Sequence, residues 1–256
     1  MGLFGNKKQN LAFGGDLMAL RSTLHKNLSF TATEQYKLIR ANLEFTLPPD
    51  VKCPIVGVTS SMRGEGKSTT AVNLSYVCAE KGKRVLLIDG DLRIPSVAKK
   101  MGLEDTPGLA ELLIGSSTPL SHYQSNILPN WYIIPAGTIP PNPSELLGSD
   151  RMAGLLGRLQ EMFDYIIIDL PPVNIVSDAV SISKLLTGML VVIREEYTEK
   201  KELERCFRQL ELSEARILGC VMNAAKSDGA RYGKYRRYKY KYYKNYYQYA
   251  LHDGKR

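Results

Sequence analysis

The chain has 256 residues, 44% of them hydrophobic, with 34 lysines and arginines against 26 acids and a formal net charge of +8. That length carries one good core and suits a single α/β domain. The charge is confined to one end. From Ala230 onward nine basic residues face a single acid, Asp253, so residues 1 to 229 are formally neutral, which argues against a folded body that binds nucleic acid. Cys53, Cys78, Cys206 and Cys220 are far apart and form no CxxC pair, so neither a disulfide framework nor a zinc site is expected. No run approaches the roughly eighteen apolar residues of a membrane span. The N-terminus MGLFGNKKQN is too polar for a signal peptide, and Asn6 stands where a myristoylation motif needs Ser or Thr. A soluble, cytoplasmic chain is the expectation.

Residues 1–16 are expected to be disordered. From Leu17 to about Leu47 the pattern is helical, with good helix formers from Glu34 to Phe45. Thr31-Ala-Thr-Glu34 has the spacing of a capping box, and Pro48-Pro49 stops the helix. Apolar strand-like runs then alternate with helical ones. The expected strands are Ile55–Thr59, Val85–Asp89, Trp131–Ile134, Tyr165–Asp169, Met189–Ile193 and Ile217–Asn223. The expected helices are Lys67–Glu80, Leu109–Ile114, Arg151–Met162, Asp178–Leu186 and Glu199–Leu210. The strands are near-continuous apolar runs, the pattern of a parallel sheet covered on both faces. The fold class is therefore α/β, a doubly wound, mostly parallel sheet. The chain divides into 1–16, an N-terminal helical segment 17–50, a central domain 51–225 and a tail 226–256.

The first strand runs into Ser60-Ser61-Met62-Arg63-Gly64-Glu65-Gly66-Lys67-Ser68-Thr69-Thr70 and then an apolar helix. This is a phosphate loop ending in GKS, with Ser61 replacing the first glycine of the strict pattern. Gly64 and Gly66 let backbone amides turn toward phosphate oxygens, and the helix that follows points its positive end at them. The segment Gly64, Glu65, Gly66, Lys67, Ser68 and Thr69 is thus expected to bind a nucleotide, with Lys67 on the β- and γ-phosphates and the Ser68 hydroxyl on Mg²⁺. Two more strands end in carboxylates, where α/β sheets place ligands. One supplies Asp89 and Asp91 with Arg93 beside them, the other Asp169. Each alone could cap a helix; three beside a phosphate loop suit a metal ion and a proton acceptor.

The tail holds Tyr232, Tyr235, Tyr238, Tyr240, Tyr242, Tyr243, Tyr246, Tyr247 and Tyr249, and no Phe or Trp. A core would mix in aliphatic residues, and a base-stacking surface accepts Phe and Trp as readily. Tyrosine alone adds a phenolic oxygen that accepts a phosphoryl group. As a flexible coil of about thirty residues the tail would reach about 30 Å, enough to enter a neighbouring copy's site. Its basic residues also allow a rival reading, an arm for RNA or anionic lipid.

A modified Walker A, a second motif apolar-Asp-x-Asp-x-Arg at Asp89, Asp91 and Arg93, and a Walker B at Asp169 followed by Pro171-Pro172 resemble the bacterial tyrosine kinases encoded with capsule and exopolysaccharide assembly genes. Pro140–Leu147 and the terminal tyrosine cluster share the resemblance, which spans about residues 17 to 256. It implies a P-loop NTPase of the MinD/ParA-like deviant Walker group that uses ATP and Mg²⁺. Lys67, Asp89 and Asp91 would be catalytic; Ser68, Asp89 and Asp169 would hold the metal; Arg93 and Asn223 would contact the nucleotide, Asn223 at the adenine, although a plain strand-end turn residue is an equal reading of Asn223. The family's Glu-x-x-Arg-x-x-Arg oligomerisation motif becomes Glu34, Lys37 and Arg40, implying a ring-like homo-oligomer. A separate transmembrane polysaccharide chain-length regulator, which recruits the kinase to the membrane, and a cognate tyrosine phosphatase would be its partners. The MinD/ParA partitioning ATPases are the nearest rival, but Met62 stands where they carry a signature lysine.

Overall fold

The computed structural model of the protein describes Leu24 and residues 27–225. The segment expected to be disordered, the first part of the helical segment and the whole tail, with all nine of its tyrosines, lie outside the described residues. Six strands form one sheet: β1 (Ile55–Ser60), β2 (Val85–Asp89), β3 (Trp131–Ile134), β4 (Tyr165–Asp169), β5 (Gly188–Arg194) and β6 (Ile217–Asn223), in the order β3-β2-β4-β1-β5-β6. Every pairing is parallel. The order reverses around β1, which sends the chain first to one side of the sheet and later to the other, and such a switch point is where open α/β sheets bind ligands.

The helices are α1 (Phe30–Thr46), α2 (Lys67–Glu80), α3 (Val97–Met101), α4 (Leu109–Leu113), α5 (Pro143–Leu147), α6 (Asp150–Gln160), α7 (Asp178–Ile182) and α8 (Lys200–Leu212). They cover both faces of the sheet because alternate strand residues point to opposite sides. Leu86, Ile88, Ile166 and Ile168 join residues of α4 to α8 in one core, while Val85, Leu87, Ile167 and Val58 pack with α1, α2 and α3 in the other. Trp131, the chain's single tryptophan, is fully buried and donates its Nε1–H to Ser75 Oγ at 3.1 Å. Among the described residues no helix is long and apolar enough to cross a membrane.

Beyond shifts of one or two residues at element ends, the structure departs from the sequence reading in these details. The N-cap of α1 is Ser29, whose hydroxyl accepts from the Ala32 amide at 3.2 Å, so Thr31 lies inside the helix and the expected capping box is absent. The expected helix at Asp178–Leu186 ends at Ile182 and continues as a 3₁₀ turn over Ser183–Leu185. The short helices α3 and α5 were not foreseen.

Candidate active site

The strands deliver the carboxylates. Asp89 and Asp169 are register partners at the ends of β2 and β4, and Val58 of β1 pairs with Asp169 on the other side. The phosphate loop leaves β1 two residues later, so loop and carboxylates meet at one edge of the sheet. Gly64 and Gly66 take left-handed φ values of +83° and +99°. A side chain at Gly66 would also collide with Asn223, whose Nδ2 lies 2.0 Å from the place a Cβ would occupy. Gly66 precedes the first turn of α2, which aims its free amides into the loop.

Lys67 is the hub. Its Nζ lies 2.9 Å from Asp91 Oδ2, 3.4 Å from Asp169 Oδ1 and 3.3 Å from Ser68 Oγ. Burial alone would lower its pKa, but the surrounding Asp169, Asp91 and Asp89 outweigh burial and raise it. Asp89 is fully buried, and both of its oxygens accept backbone amides: Oδ1 from Asp91 at 3.2 Å, Oδ2 from Ser96 at 3.0 Å and Val97 at 2.9 Å. The latter two cap α3. Burial, and next the charge of Asp169, push Asp89 up to about 7. Burial likewise raises Asp169 despite Lys67 and Ser68.

Lys67 thus contacts two of the three clustered carboxylates, Asp91 and Asp169, and buried negative charge of this kind is costly unless a cation offsets it. Asp169 Oδ2 is buried and has no hydrogen-bond partner, while Ser68 Oγ is a second hard oxygen donor beside it. Among the described residues no three His, Cys, Asp or Glu side chains form a ready-made metal cage. The Asp169 and Ser68 oxygens suit Mg²⁺, which usually takes one or two protein oxygens and completes its shell with water and phosphate.

The remaining expected site residues are placed as follows. The Glu65 carboxylate is fully buried and faces its own loop, accepting from Ser61 Oγ at 2.8 Å, the Met62 amide at 2.9 Å and Thr198 Oγ1. The carboxylate is thus spent inside the loop, and the Ser61 hydroxyl supplies a tie that glycine could not. Arg93 turns to Asp178 at the start of α7 in a bidentate pair, Nε to Oδ2 at 2.9 Å and Nη2 to Oδ1 at 3.0 Å, rather than toward Lys67. Asn223 donates to the Glu65 carbonyl at 2.9 Å. Thr69 is half-buried in the first turn of α2. Along α1, Lys37 pairs with Glu34 at 3.1 Å, whereas Arg40 reaches inward to the Val77 carbonyl at the end of α2; in the described chain the three charges do not share one free face. Sequence reading missed Lys100 of α3, whose pKa burial lowers and which lies within electrostatic range of Asp169, Lys67 and Asp89. Its five-residue helix has no periodic signal that would have drawn attention to it.

Residues 54–216 match the family model of the AAA domain. Tyrosine-protein kinase YwqD of Bacillus subtilis (strain 168) is 39% identical over 204 residues, covering 79% of this chain and 86% of the relative. Among solved structures, the chimerical protein CapA2B2 superposes with a TM-score of 0.74 at 33% identity over 82% of this chain and 91% of its own. The kinase domain of Escherichia coli tyrosine kinase ETK gives 0.71 at 29% identity, over 81% and 82%. The cell division ATPase MinD of Pyrococcus furiosus gives 0.55 at 26% identity over 68% and 74%, so the rival group shares the fold at a greater distance. On the strength of these matches, the chain belongs to the bacterial tyrosine-protein kinases and is built on an AAA domain.

Proposed function

We propose that the protein transfers the γ-phosphoryl group of ATP to tyrosine and that the acceptors are the nine tyrosines of its own tail, Tyr232 to Tyr249, presented by a neighbouring copy. The observation that carries this reading is the meeting of Lys67 with Asp91 and Asp169 beside an unpartnered Asp169 Oδ2. Such a site requires a cation and tolerates phosphate, and the chain supplies phenols in number.

In this reading the loop amides from Gly64 to Ser68 bind the phosphates, and Lys67 turns from Asp91 to the β,γ-oxygens. Ser68 and Asp169 would hold Mg²⁺, which would supply neutralising charge to the phosphates. Asp89, poised near neutrality, receives the phenolic proton as the oxygen attacks phosphorus, with Asp91 supporting it once Lys67 has moved. The phosphoester forms, the bond to the β-phosphate oxygen breaks and ADP leaves. Asn223 contacts adenine while holding the loop. Glu34, Lys37 and Arg40 serve assembly of the oligomer if Arg40 exchanges Val77 for a neighbour. A transmembrane chain-length regulator recruits and activates the kinase, a phosphatase resets the tail, and the process controls capsular or extracellular polysaccharide synthesis.

Lys67→Met tests the site. The fold should persist while labelling of the tail from γ-labelled ATP disappears; persistent labelling in the pure variant would remove the phosphate loop from the mechanism.

A further inference from the structure

Three consecutive carbonyls of the phosphate loop are held from behind. The Tyr197 hydroxyl donates to the Arg63 carbonyl at 3.0 Å, Arg194 Nη1 to the Gly64 carbonyl at 3.0 Å, and Asn223 Nδ2 to the Glu65 carbonyl at 2.9 Å. Of these donors, Arg194 ends β5 and Tyr197 lies in the turn that leaves it. That turn closes on itself through Thr198, whose Oγ1 accepts from the Arg194 amide at 2.9 Å and whose amide donates to the Arg194 carbonyl at 2.9 Å. Thr198 also donates to the Glu65 carboxylate, the loop's internal brace. The Arg194 guanidinium lies over the Tyr197 ring at 5.1 Å, which orients the phenol. Within the turn Glu196 has φ +59°, a left-handed conformation that a side chain adopts rarely and that tends to persist where the surroundings impose it.

A trans peptide unit is planar, with its C=O and N–H pointing in opposite directions. Fixing the carbonyls of Arg63, Gly64 and Glu65 therefore fixes the amides of Gly64, Glu65 and Gly66, which face the other way. Those amides, with alternate left-handed residues at Gly64 and Gly66, are the donors of an anion-binding nest. We infer that Arg194 and Tyr197 are positioning residues for nucleotide binding: they template the phosphate loop from its outer side, so that its amides are aimed before any phosphate arrives. A loop so held loses little conformational freedom on binding. The inference rests on the nucleotide reading of the site and extends it to residues outside the three motifs.

The test is calorimetric binding of Mg²⁺-ADP to the purified full chain, with KM for ATP and kcat of tail labelling measured alongside. Tyr197→Phe keeps the ring and its stacking and removes only the donor. It is expected to weaken Mg²⁺-ADP by roughly three- to tenfold, the worth of one neutral hydrogen bond, with the loss appearing in KM and not in kcat. Arg194→Met should weaken binding at least as much, and Arg194→Lys, which keeps a donor, should recover part of the loss. The unfolding midpoint without nucleotide should hold in Tyr197→Phe. Wild-type protein that binds Mg²⁺-ADP, with Tyr197→Phe binding within twofold of it, would overturn the inference and leave the site reading intact. A loss matched by a lowered midpoint without nucleotide, or confined to kcat, would also overturn it. Wild-type protein that binds no Mg²⁺-ADP would overturn both.

Discussion

Asp89 sits where burial and a neighbouring carboxylate both oppose its charge, and its pKa of about 7 against an ordinary 3.8 has a consequence for stability. The folded chain holds a proton there over a pH range in which the unfolded chain has lost it. Its contribution is therefore complete below the ordinary carboxylate value and is lost as pH rises through about 7. Lys67, raised above 10.5, acts outside that window. The denaturation midpoint of nucleotide-free protein, followed by Trp131 fluorescence, should fall between about pH 5 and about pH 8, and fall less in Asp89→Asn. Equal pH dependence in the two proteins would contradict the assignment. The type of each site residue was legible in the sequence because strand, glycine loop and strand-end acids have a fixed order. Their partners were not. Nothing near Arg93 in sequence announces Asp178, 85 residues away, and nothing near Glu65 announces Thr198.

At the scale of elements, four strands and α2 have the bounds expected from sequence, because continuous apolar runs between turn residues admit few readings. The other two strands differ by a residue at one or both ends, at Ser60, Gly188 and Arg194. The short helices were hidden because tertiary contacts make them: α3 is five residues long and exists where Asp89 accepts the amides of Ser96 and Val97. At the start of α1, Ser29 and Thr31 are both competent caps, and local sequence does not decide between them. Arg93 ties the segment between β2 and α3 to the N-terminus of α7, where Asp178 is fully buried. Arg93→Met should leave that carboxylate without its ion-pair partner. Because the arginine side chain is 39% exposed, the loss is expected to be only about 1–2 kcal/mol, read as a shift of the urea midpoint by Trp131 fluorescence. A shift of zero would mean that water replaces the arginine fully.

For the whole molecule the decisive property is the contrast between a formally neutral body and a tail of +8. Each phosphotyrosine adds about −1.5 to −2, so nine would carry the tail to roughly −6 to −10. An oligomer that accepts cationic tails in carboxylate-rich sites should repel anionic ones and come apart, which size-exclusion chromatography before and after ATP would detect; an unchanged mass on full phosphorylation would refute it. That charge segregation was plain in the sequence, whereas assembly was not, since Arg40 is engaged with Val77 in the chain alone. The most direct measurement is mass spectrometry of the purified chain after incubation with Mg²⁺-ATP, with and without the cytoplasmic segment of the proposed membrane partner. The account predicts several phosphoryl additions confined to residues 226–256. A tail left unmodified under both conditions, above all one that instead shifts RNA or liposomes, would contradict it.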